Sequence, residues 1–201
     1  MPVDLEDRIK HSDNQRILRY SVEVTVGLKD EQLSAKLLVD NNVNSHRMRL
    51  LISDAAGGTH GIAQIQDAFE QTPEHDVPDD WQKHYVEKPV NIYAFNKTVS
   101  LVNNGAGVAT LITNDMHEYE THAGKLYATL FAGTGQLGKP NLAWRPGRAS
   151  GDTSTRGHIM MATPLAQTLG KLEYDFALQF ADSFKYADVI AAENEYLAAN
   201  V

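Results

Sequence analysis

The 201-residue sequence predicts a mainly β protein, an antiparallel β-sandwich with one short helix at its C-terminal end. Three observations lead there. Eight or more short strand-like runs follow one another, several with apolar and polar residues in alternation. Turn-forming Gly, Asn, Asp and Pro stand between them. Helical spacing becomes clear only after Asp182, and no strand-like run follows it.

Each element has its own reason. The first 14 residues are polar and expected to be frayed, which leaves 15–201 as one domain. Leu18, Tyr20, Val22, Val24 and Val26 are apolar, with Arg19, Ser21, Glu23 and Thr25 between them. That period of two predicts a half-buried strand, one face on a core and one in water. Residues 27–31 read as a turn, followed by a strand with Leu33, Ala35, Leu37 and Val39 in phase. Turn formers at 40–45 lead into a third strand near Arg47, with Met48, Leu50 and Ile52 on one side. Three such strands joined by short turns predict an antiparallel meander.

Residues 55–58 read as a loop, 61–70 as strand in preference to helix, and 72–80 as a surface loop holding Pro73 and Pro78. The centre of the chain then supplies strands at 98–101, 108–113, 125–131 and 171–180, which enclose a long polar loop at 133–158. Leu126, Ala128 and Leu130 alternate with Tyr127, Thr129 and Phe131, so this strand is expected to be buried on both faces. Leu172, Tyr174, Phe176, Leu178 and Phe180 give the clearest strand signal of all. Phe184, Ala187, Ile190, Ala191 and Tyr196 are spaced for one face of a helix, with Asp182 or Ser183 as its cap.

Composition limits the function. A net charge of -8 with scattered basic residues argues against a nucleic-acid partner. The absence of cysteine removes disulfides, thiolate metal sites and a Cys nucleophile, and fits a reducing compartment. The N-terminus lacks the basic start and apolar run of a signal peptide. No apolar run approaches the roughly 20 residues that span a bilayer. The expected location is the cytoplasm, with no membrane partner.

Two motifs are decoys. The stretch from Gly133 to Lys139 matches most of a phosphate loop, but Pro140 stands where Ser or Thr would hold magnesium, and no helix pattern follows. Its glycines are expected to permit tight turns. His117 and His122 bracket Glu118 and Glu120 in a sequence that resembles a zinc motif. Five residues apart, they fall on opposite faces of a strand and miss one another on a helix, so no metal site is expected there. No spacing singles out a pair of carboxylates for glycoside chemistry.

The most site-like segment is Trp144, Arg145, Arg148 and Asp152, inside the long loop. Arginine forks grip carboxylates, phosphates or sugar hydroxyls, and a Trp face stacks on a sugar ring. Against that stands a plain alternative, in which the arginines pair with acids and pin the loop. The sequence leaves both open.

Several segments, in order, carry a family resemblance. They are Val22-Glu-Val-Thr-Val, Leu37-Leu-Val-Asp-Asn-Asn and His46-Arg-Met-Arg-Leu-Leu-Ile, then Gly107-Val-Ala-Thr-Leu-Ile-Thr-Asn-Asp, Glu118-Tyr-Glu and Lys125-Leu-Tyr-Ala-Thr-Leu-Phe. Pro140-Asn-Leu-Ala-Trp-Arg-Pro-Gly-Arg, Thr163-Pro-Leu-Ala-Gln and Leu172-Glu-Tyr-Asp-Phe-Ala-Leu complete the set. Over about residues 15–200 the chain resembles the C-terminal β-domain of family 38 glycoside hydrolases. These are the α-mannosidases, and the likeness is greatest to the bacterial branch that includes mannosylglycerate hydrolase.

The resemblance implies a supersandwich-like, galactose-mutarotase-like fold and a retaining parent enzyme that acts on α-mannosides. It also implies a carboxylate nucleophile and a zinc ion, both in a catalytic domain that has no counterpart here. The chain therefore reads as a fragment cut at both ends and inactive alone, with no catalytic residue and no metal ligand to assign. Its expected partners are that catalytic domain and an α-mannoside. Arg145, Arg148 and Asp152 are the candidates for completing the substrate cleft. A free-standing carbohydrate-binding module is the alternative, and a cut sandwich with open strand edges is expected to form homo-oligomers.

Overall fold

The structure, a computed structural model, describes residues 15–27, 32–53, 58–66, 68–72, 76–103, 105, 107–138, 144–145 and 161–199. The expected frayed N-terminus and most of the predicted loops at 27–31, 55–58 and 133–158 lie outside these residues. Thirteen strands occur among them: β1 (Arg19–Val26), β2 (Gln32–Asn41), β3 (Arg47–Ile52), β4 (His60–Ile65), β5 (Ala68–Thr72), β6 (Ile92–Ala94) and β7 (Thr98–Asn103). Then come β8 (Gly107–Thr113), β9 (Glu118–His122), β10 (Lys125–Ala132), β11 (Gln136–Leu137), β12 (Met161–Ala162) and β13 (Gly170–Ala181), and last the helix α1 (Tyr186–Ala199).

The strands form a seven-stranded sheet in the order β1-β2-β13-β8-β7-β4-β5 and a four-stranded sheet in the order β3-β10-β9-β6. Every pairing is antiparallel. A small ribbon, β11 with β12, closes the ends of the long loop. The core fills the space between the two larger sheets. Leu37, Val39, Val99, Leu101, Leu111, Tyr174 and Phe176 face it from one side, and Ile52, Tyr119, Leu126 and Ala128 from the other. The predicted sandwich and its C-terminal helix are both present.

The predicted meander is not. β1 and β2 pair as expected, but β3 crosses to the second sheet and pairs with β10. The turn explains it. Buried Asn41 donates from Nδ2 to the Thr168 carbonyl at 2.6 Å, and the Ser45 amide donates to Gln167 Oε1 at 2.6 Å. These bonds hold the turn against a segment far along the chain, while β13 takes the place beside β2 that a meander would give to β3. Residues 61–70 are strand as expected, though folded as a hairpin of β4 and β5 around Gln66 at φ 55°.

Two further expectations change. The outer face of β10 is only half covered, because Tyr127 and Thr129 look out beneath Arg49. A register shift between Thr129 and Phe131 turns Phe131 inward beside Leu130, which strict alternation cannot anticipate. On α1 the buried stripe is Val189, Ala192, Glu193 and Tyr196, of which the set read from the sequence holds only Tyr196. Glu193 hides that stripe from an apolar scan; it is buried and paired with Lys97 at 3.3 Å. The first turn opens on the Lys185 carbonyl, which accepts from the amides of Asp188 and Val189, so Asp182 and Ser183 are not the cap. Phe184 lies before the helix and packs edge-on against Phe69 and Tyr186.

Candidate functional site

Trp144 and Arg145 sit where the long loop meets the segment 87–88. The Lys88 amide donates to the Trp144 carbonyl at 2.8 Å, and the Lys88 ammonium stands 4.4 Å from the centre of the Trp144 ring. Arg145 is 7% exposed and pairs with Glu87 Oε1 at 3.5 Å. A buried guanidinium needs a carboxylate in reach, and a cation over an indole face gains from the ring quadrupole. The two contacts bind 144–145 to 87–88, the pinning arrangement that the sequence left open. The indole itself remains 58% exposed. Arg148 and Asp152, the other two candidates, lie outside the described residues.

The glycines at 133 and 135 have a steric purpose. A Cβ on Gly133 would stand 2.8 Å from the Gln167 backbone oxygen, and one on Gly135 would overlap the Gln167 amide nitrogen. Gly138 has φ 69°. The glycines therefore let the loop pass against the 3-10 turn Pro164–Gln167, where the Thr134 amide donates to the Ala166 carbonyl at 2.9 Å. They serve a close backbone approach and one left-handed position.

His46 lies at the same junction. Both its ring nitrogens are buried without a hydrogen-bond partner, and the ring meets Phe131 edge-on at 5.0 Å. Burial holds its pKa below the ordinary histidine value, despite the nearby Val43 backbone. His117 places Nδ1 3.0 Å from the Asn96 carbonyl, while His122 is exposed at the end of β9. Among the described residues, no three His, Asp or Glu gather as metal ligands.

The outer face of the small sheet carries the densest array of polar groups. Arg49 pairs with Glu120 and lies 4.6 Å from the Tyr127 ring centre. Arg47 pairs with Glu118 at 3.4 Å, and Glu118 also accepts from Thr129 at 2.7 Å. These groups satisfy one another across neighbouring strands, as cross-strand pairs do on an exposed sheet face. Desolvation raises the phenols of Tyr119 and Tyr196 to about 12, so both stay neutral donors at physiological pH. Neither phenol is poised for proton transfer. No described helix is long and apolar enough to cross a membrane.

Comparison with known proteins places this architecture. No protein-family model matches the chain. The sequence is 27% identical over 179 residues to a protein of Halalkalibacterium halodurans that bears the name "Putative mannosylglycerate hydrolase", a match over 88% of this chain and 16% of that one. In structure the chain resembles an α-mannosidase from Enterococcus faecalis V583, with a TM-score of 0.70 and 21% identity over 97% of this chain. It also resembles a glycosyl hydrolase family 38 protein from Enterococcus faecalis, with a TM-score of 0.66 and 19% identity over 94% of this chain. The chain spans 20% and 19% of those two structures, and about a sixth of the H. halodurans protein. The resemblance carried by the sequence segments therefore holds: in sequence and in fold, this chain matches a β-rich portion of the family 38 glycoside hydrolases.

Proposed function

We infer that the chain is the C-terminal β-sandwich portion of an α-mannosidase-type glycoside hydrolase, and that it supports the catalytic portion of such an enzyme. One observation carries this reading: nearly the whole chain superimposes on about a fifth of a solved α-mannosidase. The arrangement of side chains agrees with it. The described residues bring together no activated nucleophile and no acid–base pair, while their polar groups are mostly engaged in holding strands and loops.

In this reading the bond-breaking carboxylate and the zinc site lie in the catalytic portion, as the family resemblance implies. The role of the 144–152 loop is to line the edge of the substrate cleft. Trp144 offers one apolar face to a sugar ring, and Arg145, held by Glu87, fixes that face in place. Arg148 and Asp152 would supply the hydrogen bonds to sugar hydroxyls.

The test is hydrolysis of a chromogenic aryl α-mannoside by the purified chain, with and without added zinc. No turnover is expected in either case, and turnover that follows the protein through purification would overturn the reading. Titration of the chain with methyl α-mannoside, followed by calorimetry, then tests the cleft role. Weak binding that Trp144→Ala abolishes supports an edge-of-cleft loop. Tight binding by the isolated chain would instead make it a carbohydrate-binding module.

A further inference from the structure

We propose that β1 is a dimerisation edge, pairing antiparallel with β1 of a second copy about a two-fold axis through Ser21. The proposal does not depend on the enzymatic reading, and its failure would leave that reading untouched.

The first argument is how each sheet edge is protected. Open edges invite pairing with another chain, and proteins blunt them with short strands, bulges, proline, lysine or a covering element. At the far end of the large sheet, β5 has five residues, and Phe69 is covered by Phe184 and Tyr186. In the small sheet, the edge strand β6 has three residues, while β3 carries Arg47 and Arg49 on its outer face. Of these devices β1 has only two charged residues, Arg19 and Glu23, and their opposite signs do not repel a second copy. The strand runs for eight residues without proline or lysine, in unbroken register with β2, and no described strand lies on its far side.

The second argument is exposed apolar surface. Tyr20, Val22, Val24 and Val26 point to the same side as the core residues of β2, yet they are 66%, 49%, 52% and 64% exposed. None of the four joins the core, which takes up only Leu18 just before the strand. A row of this kind, continuous with the core, marks an interaction surface.

The third argument selects a second copy as the occupant. On the opposite side of β1, charges alternate in rows across the sheet. One row runs Lys171, Asp40, Arg19 and another Asp175, Lys36, Glu23, so each ends on β1 with the sign opposite to its neighbour on β2. Arg19 and Glu23 make no ion pair among the described residues. In the proposed register Arg19 lies opposite Glu23 of the second copy. The two rows then join into one that alternates through six strands, from Lys171 and Asp40 through Arg19 to the partner's Glu23, Lys36 and Asp175. On the apolar side Tyr20 meets Val22, and Leu18 meets Val24. Centring the pair on Arg19 or on Glu23 would instead set like charges together, which is unfavourable for directly opposed residues. The axis lies perpendicular to the sheet, so the contact is isologous and closes at two copies.

The test is sedimentation equilibrium between about 1 and about 100 µM, the range suited to an interface smaller than the standard size. The expected mass rises from 22.2 kDa toward twice that value. Arg19→Glu makes the edge wholly acidic and Glu23→Arg makes it wholly basic. Each variant alone should remain a monomer throughout, while an equimolar mixture of the two should dimerise. Unchanged circular dichroism would show that both variants keep the fold. A wild type that is monomeric at every concentration overturns the proposal and leaves the edge to a different polypeptide. Single variants that still dimerise, or a mixture that does not, overturn it as well.

Discussion

Strands β1 and β13 carry the same alternation of apolar and polar residues and meet different fates. In β13, Tyr174 and Phe176 are buried in the core and Ala177 is buried on the opposite face beneath Ala192 and Tyr196 of α1. In β1, every residue is exposed. The difference does not come from the strands themselves, which lie in one sheet with only β2 between them. It comes from what stands above and below. β13 has the four-stranded sheet on one side and the helix on the other, whereas no residue of β1 joins either buried cluster. Alternation decides which side chains share a face; the reach of the opposing layer decides whether that face is covered.

The sharpest test of this comparison is a pair of truncations. Phe176→Ala should destabilise the fold by about 3–5 kcal/mol, because it removes a ring from a filled core and leaves a cavity. Val24→Ala, measured on the monomer at a concentration below that of dimerisation, should change stability by less than about 0.5 kcal/mol, as at other exposed positions. Urea unfolding of the two variants reads the contrast directly. Equal losses would mean that β1 is covered in solution.

A smaller effect is expected at the loop junction. Gly133→Ala would press a Cβ against the Gln167 backbone and should cost about 1–3 kcal/mol by overpacking. The same change at Gly105, where a Cβ would meet nothing, isolates the backbone cost, since that residue has φ 95°. Gly133 has no such φ, so its loss is steric, and a loss near zero would show that the Gln167 segment gives way without cost.

The helix face of β13 offers a finer probe. The Tyr196 hydroxyl donates to the Asp175 carbonyl at 3.0 Å. Tyr196→Phe keeps the ring and loses the bond, which should cost about 1 kcal/mol. A loss near zero would show that the ring alone carries the contact.

The smallest effect depends on pH. His46 has a folded pKa below its unfolded value of about 6.5, so the folded state binds fewer protons as the pH falls below that value. Its contribution is therefore absent above about pH 6.5 and destabilising below it. The wild type should lose more stability between pH 7.5 and pH 5 than His46→Gln does. Equal slopes in denaturant midpoint against pH would remove His46 as a source.

Much of this was legible in the residues. The period of two located β1, β2, β3, β10 and β13, because side-chain alternation is a local property of the strand. Partner choice was not legible: Asn41 and Gln167, which send β3 to the other sheet, are far apart in sequence and have no recognisable spacing. The inward turn of Phe131 was hidden for a different reason, since a bulge breaks the alternation from which it would be read. The stripe on α1 was missed because its Glu193 is buried by pairing with Lys97, and charge alone marks such a residue as solvent-facing. At the candidate site, Trp144 and Arg145 stood out by residue type. Glu87 and Lys88, which hold them, did not, because nothing in their own segment marks them as partners.

The position of β13 also sets the order in which the protein can assemble. This strand lies between β2 and β8, and Leu33 must find Leu178 before the large sheet has a middle. During synthesis β2 must wait for β3 to β12 to be made before its neighbour β13 follows. Hairpins such as β4 with β5 and β7 with β8 can close at once, since their loops are short. Closing a loop as long as that between β2 and β13 costs entropy before any contact rewards it, so folding should be slow for a chain of this length. A refolding experiment should show early hairpin signal and a late, single step in which Tyr174 and Phe176 become buried. Until that step the alternating segments remain open together, and that interval is when the newly made chain most needs a chaperone.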